Sequence, residues 1–210
     1  MHETHHPHVH GKSWTALALE LLMIGVGVFL GLQVDQWRES RAHHEAARAA
    51  LENFRNEIAR NRESVASRLA YHRRLRDSLF AVQRAAGSGG MPTRLGTLFD
   101  RIKFQGSQSI TFRRTAWDLS LATQALSYLD PQLAFSLASV YDDQSGFQRY
   151  QDTFLSNMLT PVSFNDANTV PIARTMAVFM SDASNTEAEL TKEYDKILPR
   201  IDSALAKMPK

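Results

Sequence analysis

An unbroken apolar run near the N-terminus constrains this chain more than any other feature of its sequence. From Trp14 to Trp37 the sequence reads WTALALELLMIGVGVFLGLQVDQW, and Glu20 is the one charged residue before Asp35. As a helix, this run would be about 30–35 Å long, which matches the apolar thickness of a bilayer. Trp is common at the membrane–water interface. The sequence therefore predicts a transmembrane helix over 14–37, with Trp14 and Trp37 as interfacial anchors.

Two alternatives to a membrane anchor are a buried helix of a soluble domain and a cleaved signal peptide. A soluble core helix rarely stays apolar over such a length. The run is longer than the apolar core of a signal peptide, which has about 7–15 residues, and no small-x-small cleavage pattern precedes a polar start. We therefore expect a retained anchor.

Small residues and one acid recur along one side of the predicted anchor. Gly27 and Gly31 are four residues apart, Glu20 lies seven before Gly27, and Ala16 lies four before Glu20. These spacings place all four near one helix face, and small residues let two helices approach closely. A carboxyl in the apolar region is costly without a partner. We expect contact with a second copy or with another membrane protein; alternatively, Glu20 reaches the near interface and the glycines are merely tolerated.

The anchor also resembles a known family. Glu20 is followed by an aliphatic run with glycines, then by LQVDQW at 32–37 and by a charged helical stretch. This pattern is similar to the opening of a family of uncharacterised bacterial single-pass membrane proteins, and the segments around Trp117 and Tyr141 resemble that family more loosely. The resemblance implies a bacterial inner-membrane protein of single-pass architecture, without a particular activity. The chain departs from the family in its His-rich leader, where relatives tend to have Lys and Arg.

Charge placement and the resemblance disagree about the side of the membrane on which the C-terminal part lies. One Lys precedes the anchor, whereas four Arg occur in the 20 residues after Trp37. Counted this way, the positive-inside rule places the C-terminal part in the cytoplasm. That rule applies to short loops, however, and 173 residues follow Trp37. The resemblance implies a periplasmic soluble domain, which is our expectation.

The first 13 residues form a His-rich tail that we expect to be disordered. Its weak candidates for binding a transition metal are His5, His6, His8 and His10. A short tail with a proline gives these side chains no fixed geometry, so we expect no metal and no other cofactor. The chain has no Cys, which excludes disulfides, cysteine zinc sites and thiol nucleophiles.

Periodic apolar residues predict a long stem helix over 38–86. No Gly or Pro occurs from Asp35 to Ala86, and apolar residues recur mostly in steps of three, four or seven. The sequence GSGG at 87–90 should end this helix. Asn61 and His72 lie on the same apolar seam, where polar residues set the register between helices or mark the edge of the surface.

The sequence from 87 to 210 predicts further helices that complete a bundle with the stem. A short helix is expected at 93–104 and a longer one at 111–127, with Trp117, Leu121 and Leu126 facing inward. Asp130-Pro131 is a typical helix start, and that helix should end before Pro161. A last helix begins near Pro171, and Pro199 should kink or divide it. No segment alternates with period two, so we predict an all-α fold: a transmembrane helix, a stem and an antiparallel helical bundle.

The sequence contains none of the common catalytic or nucleotide-binding motifs. GxxxxGK[ST], GxGxxG, HExxH and GxSxG are all absent. Trp117 and Tyr141 are interpreted as core anchors, and the net charge of +2 does not favour nucleic-acid binding. The leading hypothesis is a non-enzymatic, membrane-anchored module for protein–protein interaction or scaffolding. The alternative is a ligand-sensing helical bundle that signals through a membrane partner.

Overall fold

The computed structural model describes residues 14–86 and 89–208, apart from the side chains of Thr15 and Ala16. Over these residues the chain is all-α, as predicted, and has no strand. It forms two compact units, Met1–Glu45 and Ala46–Lys210.

Five α-helices and three short 3-10 turns make up the described residues. The helices are α1 (Trp14–Ala86), α2 (Leu95–Ile102), α3 (Thr115–Ala122), α4 (Pro131–Met158) and α5 (Thr169–Lys207). The 3-10 turns are Ala125–Tyr128, Pro161–Phe164 and Asp166–Asn168. Residues of α1 occur in both units, whereas α2 to α5 belong to the second.

Local sequence explains several helix boundaries. Helix α1 ends at Ala86, directly before the glycine-rich sequence, and Gly89 has a φ of +77° that favours glycine. Helix α4 begins as predicted, because the Asp130 side chain accepts a hydrogen bond from Leu133 N at 2.9 Å and Pro131 occupies the first turn. Helix α5 continues through Pro199 to Lys207, so the proline does not divide it.

Side-chain pairs define the directions of the long helices in the second unit. Arg55 pairs with Asp202 and Arg62 with Asp195, so residue numbers rise along α1 as they fall along α5. The two helices are therefore antiparallel.

Helix α4, in contrast, runs parallel to α1. Glu57 bonds to Tyr141 and Asn61 bonds to Gln144, so residue numbers rise together in the two helices. The chain must therefore return between α1 and α4, and residues 87–130 provide that return.

Much of the return is an extended segment, defined here as residues 104–114, which has neither helix nor strand. Asn61 Nδ2 donates to Arg113 O at 2.8 Å, and Arg113 N donates to Asn61 Oδ1 at 2.9 Å. From α4, Gln151 binds both N and O of Ile110, at 2.8 and 3.2 Å. Amide side chains thus hold a chain whose backbone cannot use helical hydrogen bonds.

The expected helix at 111–127 is wrong at both ends and in one facing residue. Residues 111–114 are not helical, α3 covers only Thr115–Ala122, and Leu121 is exposed rather than inward. The side chains of Asn61, Gln148 and Gln151 compete for the backbone groups that a helix would have used. The second unit is accordingly an up-down-up-down arrangement in which the second member consists of short helices with the extended segment between α2 and α3.

We predict that Asn61→Ala lowers the stability of the second unit by about 2–4 kcal/mol, because it leaves the part-buried N–H and C=O groups of Arg113 without their side-chain partner. This change corresponds to a fall in Tm of roughly 5–15 °C for a domain of this size. Asn56→Ala is the matched control, since Asn56 is exposed on the same helix. Thermal unfolding of the full chain in detergent, followed by circular dichroism, measures both. Equal Tm values for the two variants would contradict the role of Asn61.

Candidate functional site

The apolar part of α1 differs from every other helix described, because its long apolar side chains are exposed. Between Leu17 and Val34, large apolar side chains of the types that are usually buried in soluble proteins are exposed. None of the most apolar 18-residue window is buried. Among the residues that the structure describes, this is the helix long and apolar enough to cross a membrane. An exposed apolar surface of this extent marks contact with lipid or with another protein.

Trp14 and Trp37 flank this apolar surface. They are 88% and 64% exposed, and about 35 Å of helix separates them at 1.5 Å per residue. The Arg41 guanidinium lies 5.9 Å from the centre of the Trp37 ring, within the range of a cation–π contact. An aromatic ring beside a cation is well suited to the boundary between apolar and polar surroundings.

The predicted contact face is geometrically consistent on α1. At about 100° per residue, Glu20, Gly27 and Gly31 fall within roughly 40° of one another around the helix axis. A Cβ added at Gly27 or Gly31 would meet nothing within 4 Å, so neither glycine is required by packing within the chain. The backbone of Ala16 belongs to α1, but its side chain is outside the described residues. His5, His6, His8 and His10 also lie outside them.

Trp117 and Tyr141 meet beside a buried carboxylate. Their rings stack at 5.2 Å, and Phe54 packs against both. The Tyr141 hydroxyl donates to Glu57 Oε1 at 2.7 Å, while Ala116 N lies 3.1 Å from each Glu57 oxygen. Glu57 therefore binds the first turn of α3, where a negative charge is favourable. This arrangement resembles core packing around a helix cap more than a ligand cage.

Burial protects the tyrosine hydroxyl that supports this cap. It raises the pKa of Tyr141 far above the usual range, and the hydrogen bond to Glu57 raises it further. Tyr150 is a milder case: burial and a hydrogen bond to Asp182 raise its pKa to about 12. Tyr141 therefore remains a donor to Glu57 at any physiological pH.

A second buried polar group holds the start of the extended segment. His72 Nε2 lies 2.8 Å from Ser107 O, and His72 Nδ1 lies 2.6 Å from Glu187 Oε1. Their side chains are 2% and 0% exposed. Because the Ser107 carbonyl can only accept, Nε2 carries a proton, and Nδ1 and Glu187 must share another. Tyr71 completes the group by donating to Gly106 O and accepting from Gln105 N.

Residues 106 and 107 form part of the wall of an apolar cavity of about 320 Å³. Its lining comes from α2, the extended segment, the end of α4, the turn after it and the first half of α5. The lining side chains are apolar except for the hydroxyls of Ser107 and Ser163, and Gly106 contributes backbone alone. A volume of this size is at the lower end of the range for small-molecule sites.

The sequence did not predict the cavity or most of the polar side chains that bind the backbone of the extended segment. Gln144 and Gln151 occupy positions on α4 where the helical period of Leu137, Val140 and Phe147 predicts apolar side chains. A polar residue at an apolar position of the helical period indicates a specific polar contact. Asn61 and His72 carry the same signal on α1. The cavity had no such signal, because each lining residue has the character of an ordinary core position.

Comparison with protein-family models gives no match, and comparison with curated proteins gives none. Comparison with solved structures also finds no match. Among the described residues, no group of three or more His, Cys, Asp or Glu side chains could hold a metal ion. Two features of the described residues are candidates for a functional role: the exposed apolar face of α1 and the apolar cavity.

We predict that Glu187→Ala destabilises the second unit by about 3–5 kcal/mol, the usual cost of breaking a buried pair. Glu187→Gln should cost less than half as much, because an amide still donates to His72 Nδ1. The control is Glu189→Ala on the same helix, which should leave the Tm unchanged because Glu189 is exposed. Thermal unfolding of the full chain separates these cases; equal losses for Ala and Gln at position 187 would refute the shared proton.

Proposed function

We propose that this chain is a single-pass membrane protein whose helical domain works by binding rather than by catalysis. The observation that carries the proposal is the exposed apolar surface of α1, which ends at Trp14 and Trp37. The resemblance of the anchor sequence to a family of bacterial single-pass proteins supports the same architecture. In this proposal the anchor is retained, and the soluble domain lies in the periplasm.

Anchoring and topology have separate tests. The full chain should remain in the membrane pellet after alkaline carbonate washing, and its intact mass should include the first 37 residues. Ile24→Arg should release a large fraction, because Arg at a helix centre costs about 2.5–3.5 kcal/mol of insertion free energy. Phe135→Arg is the control, since that exposed side chain lies on α4. Recovery of a shortened, soluble wild-type chain would identify a signal peptide instead.

The side of the membrane is tested by fusions at the C-terminus. Alkaline phosphatase should be active and a fluorescent protein dark if the domain is periplasmic. The reverse pattern would place the domain in the cytoplasm, as the Arg residues after Trp37 favour.

The anchor is proposed to associate through the face that contains Glu20, Gly27 and Gly31. Two helices approach closely where side chains are small, and each close contact then gains packing energy without loss of side-chain entropy. The occupant of this face is a second copy of the chain or another membrane protein. Such contact would be the interaction function that the sequence suggests.

We predict that Gly27→Leu weakens association of the anchor by about 1–2 kcal/mol, or roughly five- to thirtyfold. Gly25→Leu is a matched control, because Gly25 lies about 160° away around the helix. Neither change should disturb the folded chain, since a Cβ at either position meets nothing within 4 Å. The chain has no Cys, so single cysteines placed around the helix report contacts by disulfide crosslinking in membranes.

The crosslinking pattern decides between a specific face and random collision. A specific face gives strong crosslinks at positions near Gly31 and weak ones near Gly25, and Gly27→Leu reduces the strong ones. If the partner is a different protein, its co-purification should fall in Gly27→Leu and persist in Gly25→Leu. Equal behaviour of the two leucine variants in both measurements would contradict the proposed contact.

The apolar cavity favours a second function, ligand sensing by the helical domain. A ligand that binds only the folded state raises its Tm by mass action. In this alternative, the bound domain would signal through the membrane partner of the anchor.

A further inference from the structure

The cavity beside the extended segment has the chemistry of a site for an apolar ligand. It lies between α2, α4 and α5, and phenylalanine and methionine side chains form much of its wall, including Phe99, Phe154 and Met176. Its volume of about 320 Å³ exceeds that of cavities known to stay dry when their walls are apolar. Water in such a space lacks the two to four polar partners that an ordered water requires.

The few polar groups of the wall are already occupied. His72 binds the carbonyl of Ser107, and the Ser107 hydroxyl accepts from Ser109 at 3.1 Å. Ser163 Oγ lies 2.9 Å from Thr160 Oγ1. No charged side chain lines the cavity. A sugar, an amino acid or a phosphate would therefore lose its hydration without gaining equivalent hydrogen bonds.

The mouth of the cavity carries exposed apolar side chains. Leu159 and Phe164 line the cavity and are nevertheless 67% and 58% exposed, and Val162 is exposed in the same turn. The lining methionines Met158, Met176 and Met180 are flexible, and such side chains adapt to ligands without a rigid shape.

We propose that this cavity binds one hydrocarbon chain, the acyl chain of a fatty acid or of a phospholipid. This inference rests on the proposed membrane anchoring, because a membrane-anchored protein shares its compartment with fatty acids and phospholipids. The chain would enter past Leu159 and Phe164 and contact Met176 and Phe154 inside. With no charged residue in the lining, the headgroup stays outside the cavity, so recognition is of the hydrocarbon alone.

The test uses the full chain in nanodiscs of phosphatidylethanolamine and phosphatidylglycerol. One arm contains a palmitic acid with a diazirine in its chain, and the other contains phosphatidylglycerol with a diazirine in one acyl chain. After irradiation, peptide mass spectrometry maps the labelled residues. We expect labels in the cavity wall in at least one arm, and the arm that labels identifies a free or an esterified acyl chain.

Met176→Trp should reduce cavity labelling by about tenfold, because the larger side chain occupies space that the ligand needs. Val178→Trp is the matched control: Val178 is exposed on the same helix, two residues away, and does not line the cavity. Leu159→Trp at the exposed lip is a second variant, which should also reduce labelling and cannot unfold the core. Circular dichroism confirms that each variant is folded.

Labelling of residues 17–34 in the same experiment reports on anchoring separately. Labels on 17–34 without labels in the cavity would overturn the acyl-chain site and leave the anchor intact. Labels in the cavity without labels on 17–34 would overturn the anchor and support the site. Cavity labelling that is equal in Met176→Trp, Leu159→Trp and wild type would also overturn the site, because the label would then be nonspecific.

Discussion

The helical domain depends on a chain segment that is not helical. Every backbone N–H and C=O group placed between packed helices needs a hydrogen-bond partner, and an extended chain without a neighbouring strand has none of its own. Residues 104–114 solve this with side chains from both neighbouring helices: Tyr71, His72 and Asn61 from α1, and Gln148 and Gln151 from α4. The positions of these polar side chains therefore fix the register of the two helices against the segment.

The same constraint shapes the cavity. Tyr71 and His72 hold residues 105–107 by their backbone, while Glu187 of α5 holds His72 from its other ring nitrogen. Polar interactions thus occupy one side of this short stretch, and its other side faces apolar residues of α4 and α5. These hydrogen bonds hold residues 105–107 on the side away from the cavity. The segment therefore does not need a side chain inside the cavity to keep its position. A ligand-sized volume can remain beside a well-packed core, where voids are otherwise rare.

The sequence predicts the fold class and most helix boundaries because these depend on local signals. Asp130-Pro131 starts a helix, the glycine-rich sequence ends one, and the apolar period of α5 continues on both sides of Pro199. The start of α3 could not be predicted in this way. Residues 111–114 have no local sequence that forbids a helix, and their conformation is set by Asn61 and Gln148, which are distant in sequence.

The two candidate functional features differ in the same way: local sequence indicates the anchor face but not the cavity. The shared helix face of Glu20, Gly27 and Gly31 follows from their spacing within one helix, so it can be predicted from the sequence alone, and association through that face stays a prediction. The cavity requires α2, α4, α5 and the extended segment to meet, and nothing in its separate residues distinguishes it from core. The available indication was a polar residue at an apolar position of the helical period, as at Gln144 and Gln151. Such a residue indicates that the helix packs against something other than another helix.

The buried ionisable groups Glu57, His72 and Glu187 have roles within the fold. Glu57 is engaged by Tyr141 and the first turn of α3, and His72 and Glu187 are engaged with each other and with Ser107. Glu57 and His72 hold backbone groups of the protein, and Glu187 holds His72. Among the described residues, apolar surface is concentrated on the exposed face of α1 and in the interior of the cavity. Their chemistry is suited to lipid and to other apolar surfaces, which is why both proposals concern what this chain binds.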